Sequence, residues 1–131
     1  MKQSDLQFSN PRIEKIDFRV NNNIGNSDNI PICIEVETNA TIDCQEAIVK
    51  LNLIVGEINE ESGEVVTSMY FNGIIVADFS WNDNIENAET MLKISGGTVL
   101  LSYIRPILAN LTLQAGMKPL NLPFINFTQN N

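Results

Sequence analysis

The sequence predicts an α+β domain: a four-stranded antiparallel sheet with one short and one long helix packed on one face. Apolar and polar residues alternate with a period of two in successive stretches up to Phe79. From Asn84 onward the apolar residues recur at helical spacing instead. The segments joining the stretches are mostly short and polar, which makes consecutive strands antiparallel neighbours and points to a meander.

The first strand carries Leu6, Phe8, Ile13, Ile16, Phe18 and Val20, with the last three alternating cleanly. Pro11 lacks a backbone N–H, so it fits only an edge or an irregular start. Residues 21–29 form a polar loop. Ile32, Ile34 and Val36 then alternate with Cys33, Glu35 and Glu37, giving a second strand with one polar face. Residues 38–43 are a break. The third strand, 48–55, places Val49, Leu51, Leu53 and Val55 on one face. Residues 60–64 form a charged hairpin turn in which Gly63 supplies positive φ. The fourth strand spans 65–79, with a bulge or bend expected at Asn72-Gly73.

Ile85, Ala88, Met91 and Leu92 mark the short helix, which Gly96-Gly97 is expected to end or hinge. The long helix covers 98–115, with Leu100, Leu101, Ile104, Ile107, Leu108, Leu111 and Ala115 apolar. That stripe is wider than one sheet face requires, so it leans towards an oligomer. Pro106 removes an internal hydrogen bond, and a kink is expected near Ser102. After the helix comes an extended, proline-containing apolar strip, Leu120-Asn121-Leu122-Pro123-Phe124-Ile125-Asn126-Phe127. Such a strip cannot satisfy its own backbone, so it must lie on the sheet or the helix.

The 131 residues fit a single domain, 1–131, with a modest core. Net charge is −8 and the isoelectric point about 4.3, which argues against nucleic acid and anionic membranes as partners. The same charge attracts basic segments of other polypeptides. No apolar run approaches the roughly 20 residues of a membrane span, and no apolar core follows Lys2, so a cytoplasmic location is expected. Cys33 and Cys44 are expected as reduced, small, buried hydrophobes.

The chain contains no histidine, no phosphate-binding glycine loop and no cysteine pair at zinc spacing. Glu35 and Glu37 share a strand face, and Glu57, Glu60, Glu61 and Glu64 cluster at one turn. Exposed carboxylates of this kind are solvated charges before they are acid–base or calcium sites. The expectation is a protein that is not an enzyme and needs no cofactor or metal. The candidate client-binding set is Phe71, Phe79, Trp81, Met117, Leu120, Leu122 and Phe124. Flexible thioether and aromatic side chains can repack around varied clients, although each of these residues reads equally as plain core.

The Tyr103-Ile104-Arg105 run in the helix and the strip at 120–127 resemble the end of the SecB family of bacterial protein-export chaperones. That family carries a Tyr-x-Arg and a segment close to Leu-Asn-Leu-Pro-Pro-Ile-Asn-Phe. Phe124 stands here for the second proline, and Lys118-Pro119 for an aromatic-proline turn. Looser likenesses are Ile34-Glu35-Val36-Glu37, 45–51 and Gly73-Ile74. The resemblance implies a SecB-like fold and an ATP-independent holdase that keeps unfolded polypeptides or preproteins translocation-competent in hydrophobic grooves. It also implies a homo-oligomer, tetramer or dimer, in which the long helix packs between subunits; Leu101, Ile104, Leu108 and Leu111 are the expected interface.

SecA is the family's export partner, met through acidic sheet residues and a polar carboxyl-terminal tail. Lys15, Arg19 and Ser68 occupy the positions aligned with those acids, and residues 128–131 do not resemble the tail. The holdase role is therefore expected to survive better than the export role. Two alternatives stay open: a SecB-like chaperone dedicated to one client, such as an antitoxin, and a non-catalytic protein–protein adaptor on the same fold.

Overall fold

The structure is a computed structural model that describes residues 6–25, 30–41, 45–81, 88–123, 125 and 127. Four strands form one antiparallel sheet: β1 (Leu6–Val20), β2 (Ile32–Thr41), β3 (Glu46–Val55) and β4 (Met69–Trp81). Their order across the sheet is β1-β4-β3-β2. The sheet is therefore a Greek key rather than a simple meander. β2, β3 and β4 follow one another, whereas the connection 21–31 carries the chain from one edge to the other. A loop of that length does not constrain its two strands to pair, and the better apolar partner for β1 is β4.

The central strands follow the alternation closely. In β3 the residues Ala47, Val49, Leu51, Leu53 and Val55 are buried, and their partners in β4 are Phe79, Ala77, Ile75, Gly73 and Phe71. The β3–β4 connection closes through the Ile58–Val65 bridge and the Asn59 N–H donating to the Glu64 carbonyl at 2.8 Å. Gly63 sits there at φ 76°, as its place in the turn requires.

The irregularity expected at Asn72-Gly73 lies elsewhere. β3 and β4 keep one register throughout, and the shifts fall in β1, between Ser9 and Arg12 and between Ile13 and Lys15. Asn10, at φ 54°, opens the first bulge, and Pro11 follows it on this edge strand.

The helical part is one rod. α1 (Ala88–Met91) runs into a wide π-type segment, Leu92–Gly96, and on into α2 (Gly97–Gln114). The glycine pair does not interrupt it: Gly96 and Gly97 both have helical backbone angles, φ −64° and −59°. They are small because they touch the sheet. A β-carbon on Gly96 would lie 2.9 Å from Val49, and one on Gly97 3.2 Å from both Val36 and Phe127. Pro106 lies inside α2 without ending it. The proline and Ser102 are both exposed, so the carbonyl that loses its N–H partner can take water.

Leu92, Leu100, Leu101, Ile104 and Leu108 of this rod pack with the inward residues of β3 and β4 to make the core. The opposite face of the sheet carries no helix among the described residues.

Candidate functional site

α2 crosses the sheet obliquely. Its start rests on Val49 and Val36 of β3 and β2, Ile104 lies over Gly73 of β4, and Tyr103 reaches Phe8 of β1. The helix therefore has two flanks, and the chain treats them differently.

The flank towards β2 is clad by the carboxyl-terminal strip. Gly116, at φ 78°, reverses the chain, and the Met117 N–H donates to the Thr112 carbonyl at 3.0 Å. The Leu120 N–H then donates to the Thr112 hydroxyl at 2.9 Å, and Arg105 Nη2 donates to the Leu122 carbonyl at 2.9 Å. Phe127 ends the run against Gly97. Side chains of the helix thus supply partners that a strip containing Pro119 and Pro123 cannot find in a ladder.

Among the described residues nothing clads the flank towards β1 in the same way. Phe8, Ile13 and Ile16 pair with Phe79, Ile75 and Gly73, which places them on the helix side of the sheet. They remain 42%, 48% and 41% exposed, and Tyr103, beside the Phe8 ring, is 44% exposed. The Phe8 ring lies 5.9 Å from Phe79 and meets Tyr103 nearly edge-on at 6.2 Å. Four of the eight large exposed apolar side chains among the described residues lie on this flank.

The residues singled out from sequence are distributed unevenly around these flanks. Phe71, Phe79 and Trp81 of β4 and Leu122 of the strip are all buried in the core, not on a surface. Met117 and Leu120 are half-buried in the strip, and Phe124 lies outside the described residues. Leu101, Ile104 and Leu108, expected at a subunit interface, point into the chain's own core, and Leu111 is half-buried. The outward side of α2 is formed by Tyr103, Pro106, Asn110 and Leu113, flanked by half-buried Ile107 and Leu111. Phe8, Ile13, Ile16 and Tyr103 were not among the candidates. The available signal was that the apolar row of β1 continues past Pro11, further than one helix can cover.

The uncovered face of the sheet is charged. Arg12 pairs with Asp78 at 3.3 Å, Arg19 with Asp17 at 3.0 Å and Lys50 with Glu14 at 3.5 Å. Val76, between Arg12 and Lys50 in the register, is nonetheless buried, which the aliphatic stems of those two residues explain. Of the positions compared with the acids of the SecB family, Lys15 and Arg19 are exposed and Ser68 is buried. Cys33 is exposed and free, contrary to the expected burial, while Cys44 lies outside the described residues. Among the described residues, no three His, Cys, Asp or Glu side chains converge as metal ligands. No helix among them is long and apolar enough to cross a membrane.

No family model matches the chain, and no curated protein sequence does. Solved structures do. One is a SecB-like chaperone of Mycobacterium tuberculosis, in complex with a ChAD peptide from an antitoxin. It aligns at a TM-score of 0.67 over 93% of this chain and 91% of that one, with 17% identity. A protein of unknown function from Streptococcus agalactiae aligns at 0.52 over 91% and 97% of the two chains, with 10% identity.

Proposed function

We propose that this chain, which has the fold of a SecB-like chaperone, is a non-enzymatic chaperone that binds unfolded polypeptide without nucleotide. The observation that carries the reading is the half-open apolar flank of Phe8, Ile13, Ile16 and Tyr103, beside a helix whose other flank is already clad by an extended segment. An extended apolar client laid along β1 would meet a surface of the same chemistry as the one that receives the strip at 117–127. Exposed aromatic and branched side chains offer contact area with little demand for a particular sequence. The acidic chain adds attraction for basic clients.

Client binding is assigned to this flank together with the half-buried Met117 and Leu120, with Phe124 as a further candidate. Preprotein delivery is the weaker part of the proposal, because Lys15, Arg19 and Ser68 stand where the SecB family presents acids to SecA. The antitoxin peptide bound by the Mycobacterium tuberculosis protein favours a second reading, a chaperone dedicated to one client. A homo-oligomer, dimer or tetramer, is proposed through the outward side of α2, with Leu113 at 56% exposure its most open apolar residue.

The test is binding of the purified protein to a permanently unfolded polypeptide, with the same polypeptide folded as the control. Saturable binding of the unfolded form alone is expected, weakened at least tenfold in Phe8→Asp and Ile13→Asp proteins that keep their circular dichroism. Equal binding by these variants would remove the flank from the site. No binding by the wild type would leave the dedicated chaperone and the adaptor.

A further inference from the structure

The side of the sheet that carries no helix among the described residues changes charge from edge to edge. Its residues stand in cross-strand rows. One row runs Arg12, Val76, Lys50, Glu37, and the next runs Lys15, Ile74, Asn52, Glu35. Each row begins with a cation on β1 and ends with a carboxylate on β2.

Between those ends the face is aliphatic, with Ile48 44% exposed and Ile54 and Ile74 half-buried. The two carboxylates that share β1 with the cations are already engaged, Glu14 by Lys50 at 3.5 Å and Asp17 by Arg19 at 3.0 Å. Lys15 at one edge and Glu35 and Glu37 at the other are exposed and have no ion-pair partner among the described residues. Arg12 touches Asp78 at 3.3 Å, yet its side chain is 45% exposed. A hollow of about 190 Å³ opens beside the carboxylates, bounded by Glu35, Glu37, Lys50, Asn52 and Ile74. The buried Oδ1 of Asn52 accepts no hydrogen bond.

We propose that this face docks on the same face of a second copy, sheet against sheet, about a two-fold axis parallel to the strands. Such an axis keeps every residue at its level along the strands and exchanges the two edges. Arg12 then meets the partner's Glu37, Lys15 meets the partner's Glu35, and the two aliphatic centres cover each other. The Lys15 ammonium arrives over the partner's hollow, where it supplies donors to a carboxylate and to an empty amide acceptor. A two-fold axis across the strands would set β1 on β1 and β2 on β2, like charge on like, so charge selects the first arrangement. Four strands of 10 residues cover roughly 650 Å² per copy at ~3.4 Å per residue and ~4.8 Å per strand. The pair would bury about 1,300 Å², within the range of specific interfaces. This contact lies on the opposite side of the sheet from α2, so it is separate from the helix interface proposed above, and the chaperone reading does not depend on it.

The experiment measures solution mass by sedimentation equilibrium on the full chain carrying Leu113→Asp, which removes the helix contact. A dimer is expected. Adding Glu35→Lys/Glu37→Lys, or separately Arg12→Glu/Lys15→Glu, is expected to weaken that dimer at least tenfold while circular dichroism is unchanged. Mixed in equal amounts, the two reversed proteins are expected to form a heterodimer, because each basic edge again meets an acidic one. Carbodiimide treatment of the dimer is expected to join Lys15 to Glu35 between chains, shown with one copy isotopically labelled. Within one chain these residues stand three strand spacings apart, roughly 14 Å, too far for a zero-length link. A monomeric Leu113→Asp protein overturns the proposal and leaves the helix interface standing. A dimer indifferent to both reversals overturns it too, as do reversed proteins that fail to pair when mixed.

Discussion

The backbone N–H of Leu120 donates to the hydroxyl of Thr112 at 2.9 Å, across the turn that reverses the chain after α2. Thr112 is fully buried, and its own hydroxyl proton is directed at the carbonyls of Leu108 and Ala109, 3.1 and 3.0 Å away. One side chain thus sets the start of the strip against the end of the helix.

Thr112→Val keeps the shape and leaves the Leu120 N–H without its acceptor. The expected cost is about 1–3 kcal/mol, the usual penalty for a buried donor left unmade. It would be read as a lower urea midpoint at unchanged slope. Thr112→Ser, which retains the oxygen, should recover most of the loss; equal loss in both variants would mean that the methyl group, not the hydroxyl, matters.

Arg105 holds the middle of the strip through the Leu122 carbonyl. Arg105→Met preserves the stem and removes the donor, at an expected cost of about 1.5–3 kcal/mol. The effect should be local: hydrogen exchange at 120–125 accelerates while β3 and β4 keep their protection. Uniform acceleration across the sheet would show that the strip and the core open together.

Gly73 lies beneath Phe71 and Ile104. A β-carbon there would stand 2.6 Å from two carbons of the Phe71 ring and 3.0 Å from Ile104 Cδ1. Gly73→Ala is expected to destabilise by about 1–3 kcal/mol through overpacking, visible as a drop of several degrees in Tm. An unchanged Tm would mean that the Phe71 ring has room to rotate away.

Leu108 is fully buried between α2 and the sheet. Leu108→Asp would place a carboxylate among apolar side chains, a burden comparable with the whole stability of a domain. Loss of the folded circular dichroism signal is expected, not simple dissociation of an oligomer. A folded variant of lower mass would return Leu108 to a subunit interface.

Much of the sheet was legible because β3 and β4 are wanted by the core on one face, and alternation records that directly. The strand order was not, because the connections 42–45 and 56–68 keep β2, β3 and β4 in sequence, whereas 21–31 does not hold β1 beside β2. Gly96 and Gly97 were misread for a physical reason: a glycine signals conformational freedom and close approach with the same letter, and here it signals approach to Val49, Val36 and Phe127. The candidate site was half legible. Apolar residue type identified Phe79 and Leu122 but could not say which member of a packed pair faces outward; Phe8, paired with Phe79, is the exposed one.

The Greek-key order also decides how this protein comes off the ribosome. β1 emerges first, yet its partners lie in β4, with Leu6 opposite Trp81. At about 5–20 residues per second, its apolar row waits several seconds for β4 to be synthesised. β2 and β3 can close their hairpin within that interval. The segment that finishes as the open flank is thus also the one that stays unpaired longest during birth, and slowed translation between β1 and β4 should lower the yield of native protein.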